Sequence, residues 1–184
     1  MGKAIPAHHP LGRFFRGLVE QTFYVDLGMC DPQLAGYLSG LLTQFVHIDQ
    51  IFALRNATGR RIEDVAEMVS EAYLGPGVSE AVRRRIVHRH IGDFTLFWTG
   101  VYPEGLRRLR APQRKDHLVD YLQQGKRSYA IASDLTPAEQ EPSAQLLRRL
   151  SEKFEFCVYG LGLVRKGWER SRPDSFRAAR ALWQ

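Results

Sequence analysis

Apolar residues recur every three or four positions along almost the whole chain, a spacing that places them on one face of an α-helix. The first such run predicts a helix over about residues 11–27. Gly28 is expected to end this helix, because glycine adopts the left-handed backbone conformation at a helix C-terminus without steric cost. Asp31 followed by Pro32 is typical of an N-cap and a first helical position, so a second helix should begin here and reach as far as Phe52.

The middle of the chain continues this pattern. Turn-forming residues at 55–61 separate the second helix from a third, amphipathic one that begins near Ile62. The glycine–proline–glycine segment at 75–77 is expected to end the third helix. A longer helix then runs over about 79–102, where Pro103 must bend or end it, because proline cannot donate to the helical hydrogen-bond ladder.

The C-terminal third predicts two more helices and a tail. An apolar stripe ends near Ser133, and the loop after it contains Thr136 and Glu139 at the spacing of a capping box, which predicts a helix start. A last long helix is expected from about Leu146 through Trp168. The remaining residues predict only one or two further helical turns.

The composition is that of an ordinary globular protein. Of the 184 residues, 44% are hydrophobic and 25% are charged. The pattern therefore predicts one all-α domain over residues 1–184, a bundle of about six helices, with residues 1–10 as a flexible N-terminal segment. We find no repeat, low-complexity segment or domain linker in the sequence.

The two cysteines, Cys30 and Cys157, are too few for a disulfide framework or a cysteine-ligated zinc site. The N-terminal residues lack the apolar segment of a signal peptide. The longest apolar runs, such as residues 156–164, are far shorter than the roughly 20 residues of a membrane span. The sequence thus predicts a cytoplasmic protein without a membrane-spanning helix.

The long fourth helix is predicted to be central, because it is apolar on two opposite sides. One stripe contains Val82, Ile86, His90, Asp93, Phe97 and Val101, and the other contains Ile91, Trp98 and Tyr102. Its small residues would let neighbouring helices approach closely. The small residues are Gly92, Thr95, Thr99 and Gly100.

His90 and Asp93 are the principal candidates for a functional site. They lie one helical turn apart in a stripe that should exclude water, and each therefore needs a polar partner. One interpretation is structural, with the two side chains satisfying each other or a backbone carbonyl. The other is a pocket, lined also by Phe97 and Trp98, in which the carboxylate orients the imidazole for ligand binding or acid–base catalysis.

A metal site finds little support in the spacing of the possible ligands. The histidine-containing triplets at 47–49 and 88–90 place their donors two residues apart, on different sides of a helix. The HExxH motif is absent, and so are phosphate-binding loops and the serine nucleophile motif GxSxG. We therefore predict neither a metal nor a cofactor.

A second candidate site is the segment Lys126–Arg127–Ser128. Two cations and a hydroxyl could hold a phosphate or carboxylate group of a ligand. Alternatively, Lys126 and Arg127 extend along the helix surface into water.

Arginine dominates the charge of the chain. There are 26 Lys and Arg against 20 Asp and Glu, giving a net charge of +6. Basic clusters occur at 83–85, 107–110, 125–127 and 148–150. Because they are distributed over several helices and most aromatic residues occupy core positions, they indicate a solvated surface rather than a nucleic-acid interface.

These observations favour a binding protein, with either a small apolar or anionic ligand in the bundle or a protein partner on its surface. An enzyme that uses the His90–Asp93 pair without a cofactor is the first alternative. A nucleic-acid-associated protein that uses the arginine clusters is the second.

The dispersed arginines predict that the protein does not bind nucleic acid tightly. We expect fluorescence anisotropy with labelled DNA and RNA duplexes to show no submicromolar binding at physiological salt. Submicromolar binding that weakens steeply with salt, as several phosphate contacts would produce, would contradict this prediction.

Overall fold

The computed structural model describes residues 9–74 and 79–183, and in these ranges it contains no β-strand, which confirms the all-α class, and ten α-helices, where the pattern predicts about six. The helices are α1 (Pro10–Glu20), α2 (Pro32–Phe45), α3 (Ile48–Ile51), α4 (Val65–Leu74), α5 (Glu80–Gly100), α6 (Leu106–Leu109), α7 (Tyr121–Asp134), α8 (Ala144–Glu152), α9 (Phe154–Ser171) and α10 (Pro173–Trp183). Residues 1–8 of the predicted flexible segment and the predicted helix stop at 75–77 lie outside the described residues. No helix in the described ranges is long and apolar enough to cross a membrane.

The end of the first helix and the start of the second are where the sequence predicts them. A π-helical turn over Gln21–Asp26 continues α1, and Gly28 follows with a φ of 67°. The Asp31 carboxylate accepts a hydrogen bond from the Leu34 N–H at 3.1 Å and so caps α2. These ends are set by local backbone chemistry, which explains why the sequence reveals them.

The second helix is shorter than predicted. It ends at Phe45, and His47 has an extended backbone with φ −92° and ψ 117° before the short helix α3 begins. Residues 48–52 are still apolar on the side facing the core, since Ile51 and Phe52 are buried. The periodicity continues across the break and therefore conceals it.

Helix α5 is the buried centre of the bundle, as predicted. Phe94, Phe97 and Trp98 are almost fully buried, and α7 packs closely along α5. Glycines allow this close approach. A Cβ atom added at Gly92 would lie 2.7 Å from the Tyr129 ring, and one added at Gly125 would lie 2.5 Å from the Thr95 hydroxyl.

The prediction that Val82 and Ile86 are buried is wrong. Their exposed fractions are 38% and 42%. In this half of α5 the neighbouring helices contact Arg84 and His88, which lie roughly 120–160° around the helix from Val82 and Ile86 at about 100° per residue. The apolar stripe is real, but no described helix packs on that part of it.

The predicted capping box at Thr136 and Glu139 is also wrong. The Thr136 hydroxyl donates to the Ala132 carbonyl at 2.7 Å, at the end of α7. The next helix, α8, begins later, where the Ser143 hydroxyl accepts from the Leu146 N–H at 3.3 Å. The predicted last long helix is divided at Lys153 into α8 and α9.

The C-terminal helix α10 is longer than predicted, with 11 residues, and it closes one end of the bundle. The buried Trp183 indole N–H donates to the Phe45 carbonyl at 3.1 Å. The Trp183 ring also meets the Phe97 ring edge-on, with the ring centroids 5.0 Å apart. This residue therefore joins α10 to both α2 and α5.

Helix α4 is capped by a residue from a distant part of the chain. The fully buried Asp116 accepts hydrogen bonds from the backbone N–H groups of Val65 (2.8 Å) and Ala66 (2.9 Å), 51 and 50 residues away. It also accepts one from the Tyr121 hydroxyl at 2.6 Å. A carboxylate at a helix N-terminus satisfies free N–H groups and interacts favourably with the helix dipole. Asp116 thereby fixes the α4 end against the start of α7.

We expect Asp116→Ala to lower the free energy of unfolding by about 3 kcal/mol, because it leaves three buried donors without acceptors. Asp120→Ala is the matched control, since Asp120 caps α7 from an exposed position and its loss should cost only about 1 kcal/mol. Urea unfolding of both variants measures the difference. Equal losses would contradict the assigned role of Asp116.

Candidate functional site

His90 and Asp93 do not pair with each other, so the predicted direct interaction is wrong. The His90 Nε2–H donates to the Ile51 carbonyl at 3.1 Å, and the imidazole lies near the rings of Phe45 and Phe94. Burial lowers the pKa of His90 to about 4, so the ring is neutral at pH 7. His90 therefore joins α5 to α3, and its Nε2 is not available as a base.

Asp93 instead accepts two hydrogen bonds from tyrosines. The Tyr37 hydroxyl donates to Asp93 Oδ1 at 2.5 Å, and the Tyr129 hydroxyl donates to the same oxygen at 2.7 Å. Burial raises the pKa of Asp93, while the nearby Arg89 charge and the two hydroxyls oppose that increase. Within the described chain Oδ2 makes no hydrogen bond, so one carboxylate oxygen is fixed and the other is available.

The local sequence explains how the two tyrosines reach this carboxylate. Gly92 has no side chain, so the Tyr129 ring can lie directly against α5 next to Asp93. Tyr37 approaches from α2, and the two rings meet edge-on with centroids 6.4 Å apart. Burial, followed by the Asp93 charge, raises the pKa of both tyrosines well above the usual value, so both remain protonated donors.

Asp93 lines an open groove of about 380 Å³ on the surface of the bundle. The groove lies between α2, α5 and the segment at 141–146. Its polar lining residues are Gln33, Tyr37, Gln44, Arg89, Asp93 and Glu141. Its other lining residues are Gly36, Gly40, Leu41, Pro142 and Leu146.

Arg89 brings an unpaired positive charge to this groove. It is half-buried, and in the described chain its guanidinium forms neither an ion pair nor a hydrogen bond, with Nε fully buried. Asp93 lies four residues later on the same helix face. Two features disfavour an ion pair between Arg89 and Asp93. The two tyrosines already bind Asp93 Oδ1, and a helical pair in which the arginine precedes the acidic residue is less favourable than the reverse order. Arg89 thus has the Asp93 charge nearby but no hydrogen-bonded partner in the described chain.

Two glycines keep the groove open. A Cβ atom added at Gly36 or Gly40 would meet no atom within 4 Å. In this respect they differ from Gly92 and Gly125, where the packing leaves no room for a side chain. A glycine inside a helix costs about 1 kcal/mol relative to alanine. Internal packing does not explain that cost at Gly36 and Gly40, and both residues line the groove.

The other predicted ligand-binding residues lie elsewhere. Phe97 and Trp98 are buried in the core and do not line the groove. Lys126 forms an ion pair with Glu155 at 2.8 Å, and Arg127 is exposed. Adjacent positions on a helix face different directions, so the structure does not bring Lys126 and Arg127 together with Asp93.

His88 is a buried polar residue that the sequence analysis did not single out. Only 1% of its surface is exposed, its Nδ1 lies 3.3 Å from the Ser128 hydroxyl, and its Nε2 has no partner among the described residues. Burial, together with the positive charges of Arg84 and Arg127, lowers the pKa of His88 to about 4. His88 thus links α5 to α7 as a neutral group.

In the described residues, no group of three or more His, Cys, Asp or Glu side chains is placed to hold a metal ion. Comparisons with protein-family models, curated proteins and solved structures found no match for this chain. The arrangement of the groove is therefore the basis for any functional conclusion.

Sequence reasoning found Asp93 but missed the residues around it. Tyr37 and Tyr129 lie within apolar helical patterns, and nothing local indicates that they share Asp93 as an acceptor, which is 56 residues from Tyr37 and 36 from Tyr129. Gly36 and Gly40 are four residues apart on one helix face, but this spacing is equally typical of a packing contact.

The buried histidines predict a loss of stability in acid. Their pKa is about 4 in the folded protein and about 6.5 in an unfolded chain, so the unfolded chain binds more protons between these values. The free energy of unfolding should therefore fall as the pH decreases from about 6.5 to 4, by up to about 3 kcal/mol per histidine. The raised pKa of Asp93 acts in the opposite direction and reduces the total loss.

Urea unfolding across this pH range measures the effect. His88→Gln should reduce the pH dependence, because it removes one of the two histidines whose pKa is lowered by burial. An unaltered pH dependence in His88→Gln would show that His88 is not protonated on unfolding in this range.

Proposed function

We propose that this protein binds a small molecule with an anionic group in the groove beside Asp93, with Arg89 as the anchor for that group. The observation that carries the proposal is the Arg89 guanidinium, which lines the groove without a partner in the described chain. A ligand carboxylate or phosphate is a suitable partner, because guanidinium groups bind these anions through two parallel hydrogen bonds.

The shape and lining of the groove support a ligand of modest size. Its volume of about 380 Å³ lies near the lower end of the roughly 300–1,000 Å³ range of small-molecule sites. Leu41, Pro142 and Leu146 offer apolar contacts, and Gln33 and Gln44 offer amide groups. This combination of an apolar surface with a few polar groups is typical of such sites.

The enzyme alternative loses its proposed pair, because His90 Nε2 is bonded to the Ile51 carbonyl and the imidazole does not contact Asp93.

The nucleic-acid alternative gains no support from the surface charges. Several arginines form ion pairs with acidic residues, for example Arg61 with Asp49 and Arg165 with Glu104. Such pairs offset the positive charge that phosphate binding requires.

We expect small carboxylates or phosphates at millimolar concentration to raise the melting temperature of the wild-type protein, because a ligand that binds only the folded state stabilises it. Arg89→Gln should abolish this increase while leaving the protein folded. The measurement is a thermal-shift screen of small anions, with isothermal titration calorimetry on each compound that stabilises the protein. A screen without binding, or binding that Arg89→Gln leaves unchanged, would refute the proposal.

Gly40→Leu tests the location, because Gly40 lines the groove and has open space at the position of a Cβ atom. Gly17→Leu is the matched control, since Gly17 also has open space around it but lies in α1, outside the groove. Both variants should unfold at a temperature equal to or above that of the wild type, because leucine favours helix over glycine. Only Gly40→Leu should lose anion binding, and equal binding by both variants would place the site elsewhere.

A further inference from the structure

The charges in the groove restrict the class of ligand further than Arg89 alone does. Its charged lining residues are Arg89, Asp93 and Glu141. With both carboxyl groups ionised, two negative charges face one positive charge. A ligand that carries only an anion would gain from Arg89 but would lie close to the Asp93 carboxylate, one helical turn away. The groove should therefore bind simple anions only weakly, in the millimolar range of the anion screen, and should favour ligands that also carry a positive charge.

Asp93 is arranged to accept a further hydrogen bond. Tyr37 and Tyr129 both donate to Oδ1, which fixes the orientation of the carboxylate and leaves Oδ2 without a hydrogen bond in the described chain. The ionised Asp93 carboxylate has no proton to donate. A ligand group that forms a hydrogen bond with Oδ2 must therefore be the donor. An ammonium group supplies both the donor and the compensating charge.

The spacing of the two charges fits one small molecule. Arg89 and Asp93 are four residues apart on α5, which places their Cβ atoms about 6 Å apart on one helix face. The long Arg89 side chain can reach an anion while the short Asp93 side chain holds an ammonium group a few bonds away in the same ligand. Glu141 also lines the groove; its Oε2 accepts a hydrogen bond from the Ser143 N–H at 3.1 Å, and its negative charge adds to the attraction for the ammonium group.

We infer that the ligand is a small zwitterion of the amino-acid type, with its carboxylate on Arg89 and its ammonium group on Asp93. This inference rests on the proposed function and makes it more specific. The side chain of the amino acid would lie toward Leu41, Pro142 and Leu146. The open surface at Gly36 and Gly40 provides room for the ligand backbone.

The test is isothermal titration calorimetry of the wild-type protein with leucine and two analogues that each lack one charge. N-acetylleucine retains the carboxylate and lacks the positive charge, and 3-methylbutylamine retains the ammonium group and lacks the carboxylate. The other standard amino acids are then titrated to cover different side chains. We expect at least one amino acid to bind at least tenfold more tightly than its N-acetyl derivative and its decarboxylated amine.

Two variants assign the ammonium contact. Asp93→Asn keeps an oxygen that can accept from Tyr37 and Tyr129 but removes the negative charge, so it should weaken binding of the amino acid at least tenfold. It should leave binding of the N-acetyl derivative unchanged or tighter. Glu141→Gln, at an exposed position that is not needed for folding contacts in the core, should weaken amino-acid binding by a smaller factor. Circular dichroism and the melting temperature check that both variants are folded.

The possible results separate this inference from the proposed function. If N-acetylleucine binds through Arg89 as tightly as the amino acids do, the proposal that Arg89 anchors an anionic group is supported, and the inference that the ligand is a zwitterion is wrong. If neither amino acids nor simple anions bind, both proposals are wrong. If the amine binds as tightly as the amino acid and Arg89→Gln has no effect, Arg89 is not the anchor and both are overturned.

Discussion

The close contact between α5 and α7 is the constraint on which the rest of the structure depends. At Gly92 and Gly125 the absence of side chains brings the two helices together, so that the Tyr129 ring lies on α5 and its hydroxyl reaches Asp93. The same contact places Ser128 beside His88. A methyl group at either glycine would collide with an aromatic ring, so even this small change requires rearrangement where the packing is dense.

Three polar side chains of α5 form hydrogen bonds to neighbouring helices. Asp93 is held by α2 and α7, His90 by the Ile51 carbonyl of α3, and His88 by α7. Because an unsatisfied buried group is costly, each of these bonds favours one arrangement of the helices over others that would pack equally well by apolar contact alone. Arg89 is different, because it faces the groove and has no partner in the described chain, and this difference distinguishes a candidate site from a structural contact.

Glycines serve two separate purposes in this bundle. Gly92 and Gly125 allow close packing, and a side chain there would collide with its surroundings. Gly36 and Gly40 carry the same helix penalty without any such contact, and both border the groove. The two kinds cannot be distinguished in the sequence, because each is simply a glycine within an apolar helical pattern. Only the space around each residue shows which purpose it serves.

The sequence by itself determined the features that depend on neighbouring residues. The helical class, the ends at Gly28 and Asp31 and the central position of α5 follow from periodicity and from backbone chemistry within a few residues. It also marked Asp93 as a polar residue that needs a partner. The tertiary structure decided which partners the polar groups found, because Tyr37 and Tyr129 meet Asp93 only after distant helices have packed. The tertiary structure likewise left Val82 and Ile86 exposed. An apolar stripe indicates that a helix face can be buried, but it does not identify the neighbouring helix that would cover that face.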